Sequence, residues 1–330
     1  MTPTQFGSAS FLYRYPLGGS LPSSPFPLPP SLFPPPHLPR LKAFLNSKCG
    51  NAEKAREALT KAGFDLDEVD PKDLEGRIKR AVDGGTRRIL VAGGDGTIAT
   101  AAALVAKTGI ELAILPGGTL NHFAKDHNIP TDLAEATRVA SAGIVVGADL
   151  GYVNDCVFLN TSSIGAYVTF VRDRERFEKH VGYTLASVGA FFKTLREIRT
   201  FTVTLEDERG KRSYRASLVF IGVGERELKM PVLGSRVKNG KSGLHVMVVR
   251  GRARARLFNL GLAAIAKGTS EAEKLPEFDD FLVAGGRIDL NRPQAMLGLD
   301  GELKRMDTPL DYRIERDALR LVVAPPKDGE

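Results

Sequence analysis

Two short runs of small residues, Gly93-Gly94-Asp95-Gly96-Thr97 and Pro116-Gly117-Gly118-Thr119, are where this chain could handle phosphate. Glycines let backbone N–H groups close on phosphate oxygens, and a helix that starts just after them adds partial positive charge. Asp95 brings a carboxylate that can hold or orient a metal. An isolated Gly-Gly-Asp-Gly is commonly only a tight turn, but here a strand precedes it, a helix over Ile98 to Lys107 follows it, and the second run repeats the arrangement one strand later. Neither run has the lysine of Gly-x-x-x-x-Gly-Lys-Ser/Thr or the spacing of Gly-x-Gly-x-x-Gly, so the phosphate site is of another kind. Late in the chain Asp300 and Glu302 stand two apart, which in a strand puts both carboxylates on one face and in a turn does not. His122 and His127, five apart in one helix, make a poor metal pair, and His245 inside an apolar strand reads as structural.

The elements that must position these residues follow from the apolar pattern. Lys42 to Asn46 reads as a strand, and a helix opens at Asn51 and closes at Gly63. Phe64 to Val69 is a second strand, and Asp70-Pro71 starts a helix that runs to Asp83. Arg88 to Ala92 and Glu111 to Leu115 are strands that deliver the two glycine runs. Strand, loop and helix in repetition predict a parallel α/β domain, whose ligands bind beyond the carboxyl ends of the strands. After Asp149 the texture turns β-rich, with strands expected at Phe201 to Glu206, Ser213 to Val223, Leu244 to Arg250, Phe281 to Ala284, Ile288 to Leu290 and Ala295 to Leu299. Helices are expected from about Val171 to Arg199 and about Ala253 to Lys267. The mixed charges of Arg172 to Lys179 read as a solvated helix face. The alternating Arg250, Arg252, Arg254 and Arg256 suit either a lipid headgroup surface or a solvated edge.

Composition narrows the classes. Of the 20 prolines, 11 fall in residues 1–40, which hold no Asp or Glu and cannot pack a core, so this segment reads as a disordered tail or an over-long gene start. The chain as a whole has the 42% hydrophobic and 26% charged balance of globular protein. Cys49 and Cys156 match no metal or paired spacing and fit a reducing compartment. No apolar run is long enough to span a membrane. The formal charge of +7 is spread widely, which suits a peripheral visit to an anionic lipid surface better than a nucleic-acid stripe.

Asn46-Ser-Lys-Cys-Gly50, Gly93 to Thr97, Pro116 to Asp126, Asp149-Leu-Gly and Asp300-Gly-Glu302, in this order, resemble the motifs of the diacylglycerol kinase catalytic-domain family, which includes bacterial lipid kinases and sphingosine kinases. The resemblance implies an NAD kinase-like parallel α/β domain over 41–152 followed by a β-sandwich domain over 153–307, with the last strands from about 308 to 330 returning to the first domain. It implies ATP and Mg2+ as cofactors and a lipid hydroxyl as acceptor at a membrane surface, in a cytoplasmic, peripheral protein for which a homodimer is allowed. Carried over, Asn46 and Gly50 contact the nucleotide, Gly93, Gly94, Asp95, Gly96 and Thr97 cradle its phosphates, and Gly117, Gly118, Thr119 and Asn121 border it. Asp95 and Asp149 belong to the acidic set around the catalytic magnesium, and Asp300 or Glu302 accepts the proton of the hydroxyl. His122 stands where the family has an acid, Ser47 and Cys49 replace a Pro and a Ser, and Lys238 to His245 lacks the carboxylates of a second-domain structural metal, so no such metal is expected. A soluble-substrate kinase of NAD kinase type and a non-catalytic nucleotide or lipid sensor are the alternatives.

Overall fold

The computed structural model describes residues 41–166, 168, 200–228, 233–237, 239–251 and 278–326. The expected tail, both expected helices after residue 170, Arg172 to Lys179, Lys238, Arg252, Arg254 and Arg256 lie outside the described residues.

The first half is the expected parallel α/β arrangement. Strands β1 (Lys42–Asn46), β2 (Asp65–Val69), β3 (Arg88–Gly93) and β4 (Glu111–Pro116) pair in parallel in the order β2-β1-β3-β4. The central three read as continuous apolar runs because helices cover both faces of the sheet. On one face, α1 (Ala52–Lys61) and α5 (Leu133–Ala142) bury Ala55, Leu59, Ala136 and Ala140 against Leu45, Leu90 and Leu115. On the other, α2 (Leu74–Asp83) and α3 (Asp95–Val105) bury Ile78, Ile98 and Ala102 against Phe44, Val91 and Ile114.

Two boundaries differ from expectation, for local reasons. The helix expected from Asp70-Pro71 begins only at Leu74: the Asp70 side chain accepts the Lys72 N–H (3.1 Å) and its carbonyl accepts the Asp73 N–H (2.9 Å), so this stretch is spent on a turn. In contrast, α3 starts at Asp95 and not at Ile98, which places Asp95, Gly96 and Thr97 in the first helical turn. Gly63 closes α1 with φ +77°, as a left-handed residue after a helix should.

Beyond α4 (His122–Asp126) and α5, the elements among the described residues are strands: β5 (Ile144–Val153), β6 (Cys156–Phe158), β7 (Thr161–Gly165), β8 (Phe201–Asp207), β9 (Gly210–Val223), β10 (Arg226–Leu228), β11 (Leu233–Arg236), β12 (Leu244–Arg250), β13 (Phe278–Val283), β14 (Gly285–Leu290), β15 (Gln294–Leu299), β16 (Glu302–Asp307) and β17 (Leu310–Val323). Most pair antiparallel around a second core that includes Phe158, Ile164, Val219, Val246, Leu297 and Tyr312 in a sandwich-like arrangement. The long β17 pairs with β14 at its start, with β5 along its length and in parallel with β4 near its end, so it is shared by both cores.

Candidate active site

The two glycine runs face each other because β3 and β4 are neighbours and the Gly117 N–H donates to the Gly93 carbonyl (2.8 Å). A Cβ on Gly118 would lie 2.8 Å from the Gly94 Cα, and one on Gly117 would lie 3.3 Å from the Gly93 Cα, so the second run packs on the first with no room for a side chain at Gly118 and little at Gly117. Gly93 has a further constraint, since a Cβ there would meet the Thr97 side chain at 2.5 Å. Asn121, itself left-handed at φ +50°, fixes the second run: its Oδ1 accepts the Gly118 N–H (2.9 Å) and its amide donates to the Gly118 carbonyl (2.8 Å). From the first strand, the Asn46 amide donates to Thr97 Oγ1 (2.8 Å), and Gly50 lies at Gly117, 4.0 Å from a Cβ built on it to the Gly117 carbonyl. Thr119 is exposed at the rim. The nucleotide residues expected from sequence thus gather around the start of α3. There the Ile98 N–H, bonded to the Gly94 carbonyl (3.0 Å), is the first to be used inside the helix, leaving the earlier donors of the first turn for a ligand.

The late carboxylates arrive from the other half. Asp300 and Gly301, at φ +47° and +91°, form the two-residue turn between β15 and β16, the backbone that an Asp-Gly hairpin favours. The shared strand face is therefore absent, and the two acids part. Asp300 turns inward: Oδ1 accepts the N–H groups of Asn160 (2.8 Å) and Thr161 (2.9 Å), and Oδ2 accepts that of Leu159 (2.7 Å). Burial pushes its carboxyl above the usual range against the pull of these three donors, and the charge of Asp95 adds to the rise. Glu302 is exposed and reaches the Gly93–Thr97 run, with Oε1 only 2.5 Å from a Cβ built on Gly96. Asp95 itself is half-buried, and its Oδ1 accepts the Phe123 N–H at 3.4 Å.

A polar seam flanks this cluster. Asp149, buried in β5, accepts Ser242 Oγ–H (2.6 Å) and the Asp317 N–H (3.1 Å). Arg226, buried at the start of β10, donates to Asp126 at the end of α4 (2.6 Å). Arg236 donates to His127 Nε2 (3.3 Å), and burial first, then the cations of Arg236 and Arg226, hold His127 down to a pKa of about 3. His245 accepts the Arg226 N–H on Nδ1 (2.9 Å), in keeping with a structural role. Motif reading quoted Asp126 and Ser242 within longer runs but gave them no role, and missed Arg226, Arg236 and the amides of Leu159 to Thr161. Pairs that close over about a hundred residues, and partners supplied by backbone, leave no local signal.

Magnesium, a hard cation, is held by one or two carboxylates with phosphate oxygens and water. Among the described residues no group of three His, Cys, Asp or Glu could hold a metal by itself. Asp95 beside the Gly93–Thr97 run suits that use, and Asp149, whose two oxygens accept one hydrogen bond each, keeps lone pairs for it.

Glycine runs that abut a helix start, with a carboxylate hairpin laid over them, agree with the sequence motifs. Residues 40–153 match the model of the diacylglycerol kinase catalytic domain. "Probable lipid kinase YegS-like" of Pseudomonas syringae pv. tomato is 36% identical over 141 residues, covering 39% of this chain and 46% of that protein. "Putative lipid kinase" of Staphylococcus carnosus is 24% identical over 242 residues, covering 70% of this chain and 75% of that protein. The chain spans about half the length of several of the curated relatives it matches. The structure titled "Crystal structure of a putative diacylglycerol kinase from Bacillus anthracis str. Sterne" aligns with a TM-score of 0.66 at 23% identity, over 87% of this chain and 98% of that one, and at this identity it speaks to the fold. The fold and the lipid kinase family resemblance expected from sequence are thus borne out. No helix among the described residues is long and apolar enough to cross a membrane.

Proposed function

We propose that the protein is an ATP-dependent lipid kinase that moves the γ-phosphate of MgATP to a lipid hydroxyl while docked peripherally on a membrane. The observation that carries this reading is the meeting of the Gly93–Thr97 phosphate loop with the Asp300–Glu302 hairpin, which Glu302 reaches at Gly96. Phosphoryl transfer needs mainly positioning and charge stabilisation, and this arrangement supports both. Backbone donors in the first turn of α3 receive the phosphates, the Gly94–Gly118 contact fixes the loop, and Asn46 holds Thr97 in place. Asp95 would hold a magnesium ion arriving with the nucleotide, and the ion would supply charge neutralisation on the phosphates.

Asp300 is the proton acceptor in this reading. Three N–H groups fix its orientation, and burial raises its affinity for a proton against the pull of those donors. Glu302, nearer to the Gly93–Thr97 loop, is the alternative acceptor of that proton. The test is incubation of the full chain with labelled ATP and magnesium, offered diacylglycerol, a sphingoid base and phosphatidylglycerol in mixed micelles, with NAD as soluble control. Label in a lipid is the expected result. Label in NAD alone, or in nothing while ATP still binds, refutes it.

A further inference from the structure

We infer that Arg226 is a positioning residue, which with Asp126 ties the nucleotide loops to the Asp300 carboxylate across the two cores. The roles given to the two ends rest on the kinase reading; the connection between them rests on hydrogen bonds. From the nucleotide side, the loop held by Asn121 leads directly into α4, whose Phe123 N–H contacts Asp95 and whose last residue is Asp126. Asp126 Oδ2 accepts Arg226 Nη1–H at 2.6 Å. The rest of the Arg226 fork is also engaged, with Nε (2.9 Å) and Nη2 (2.7 Å) donating to the Val223 carbonyl. The Val223 N–H donates to the Asn160 carbonyl (2.9 Å), and the Asn160 N–H donates to Asp300 Oδ1 (2.8 Å). The path Asp95, Phe123, Asp126, Arg226, Val223, Asn160, Asp300 is therefore continuous.

Its centre is an unusual thing to bury for stability alone. Apolar groups of the same volume commonly stabilise a fold as well as a buried ion pair does, whereas directional charged hydrogen bonds fix geometry. Arg226 and Asp126 side chains are only 3% and 13% exposed, so the pair is desolvated and cannot drift to water without opening. Burial pushes the guanidinium below its usual value, and the charge of Asp126, then that of Asp300, opposes this. Lysine could supply the charge to Asp126 but not the planar fork that grips the Val223 carbonyl at the same time.

Hydrogen exchange at Leu159, Asn160 and Thr161 in the full chain tests this without needing turnover. Asp126→Asn keeps the shape of the side chain and removes its charge; it should lower the thermal midpoint, because the Arg226 charge is left buried and unpaired, and should speed exchange at these three amides by about tenfold more than at β1 and β3. Arg226→Met should do the same, the double variant should add little, and Arg226→Lys should recover part of the protection. Parental exchange at 159–161 in Asp126→Asn, or acceleration spread evenly through β1 and β3, overturns the inference. In the second arm, transfer from MgATP to diacylglycerol in mixed micelles should lose about tenfold in kcat with KM for ATP unchanged, the signature of a misplaced transition-state group. Full kcat in Asp126→Asn overturns the inference, whereas a parent that labels no lipid refutes the kinase reading and leaves the exchange arm to decide the positioning.

Discussion

Asp300 shows how one residue can be a structural staple and a chemical group at once. Its carboxylate closes three backbone N–H groups, so Asp300→Asn does more than remove a base: an amide offers one acceptor oxygen and leaves a buried donor short, at a cost of roughly 1–3 kcal/mol. Under the proposed chemistry, this variant should lose about 10²- to 10⁴-fold in single-turnover transfer to lipid while ATP affinity holds, and its thermal midpoint should fall as well. Glu302→Gln should leave the midpoint unchanged, since Glu302 is exposed, and should slow transfer less. Equal rates in both variants and the parent would remove the carboxylates from the chemistry; a large loss confined to Glu302→Gln would move the base two residues along.

At the scale of elements, the glycine runs work as a facing pair, and their tolerance is unequal. A Cβ on Gly94 would sit 3.4 Å from the Gly118 Cα, an ordinary contact, but one on Gly118 would sit 2.8 Å from the Gly94 Cα, with backbone on both sides. Gly94→Ala should therefore leave ATP affinity near the parent, while Gly118→Ala and the branched Gly94→Val should weaken it by about tenfold or more, read by calorimetry. Indistinguishable affinities across the three variants would show that the runs are turns and no more. Most of this pair was legible in the sequence, because small residues after a strand announce a close backbone approach wherever they occur. The start of α3 at Asp95 was less so, since glycine is a poor helix former and its place in the first turn is set by the loop packed against it. The parting of Asp300 from Glu302 was open for a similar reason: Asp-Gly marks a hairpin, but only the partner strand fixes where the turn falls.

For the whole molecule, the two cores are joined through buried polar groups whose existence no local pattern announces; the Asp126–Arg226 pair closes over 100 residues. This seam should make the protein acid-sensitive. His127 is held neutral with a pKa of about 3, below its ordinary value of 6.5, so the unfolded chain takes up a proton that the folded one refuses. Its contribution is intact above about pH 6.5 and is lost as pH falls towards 3, at about 1.4 kcal/mol per pH unit. His127→Gln should flatten this part of the stability curve in denaturant titrations between pH 4 and 7, and a curve parallel to the parent would exclude the histidine as the cause. The shared strand β17 bears on a different question, the order in which the molecule can be completed during synthesis. Glu111, at the head of β4, waits for Arg320, made 209 residues later, and most of β5 pairs along that same strand. Until the ribosome has passed residue 323, β4 and β5 carry open ladder positions that could join a neighbouring nascent chain, so the parallel half, although translated first, is finished last.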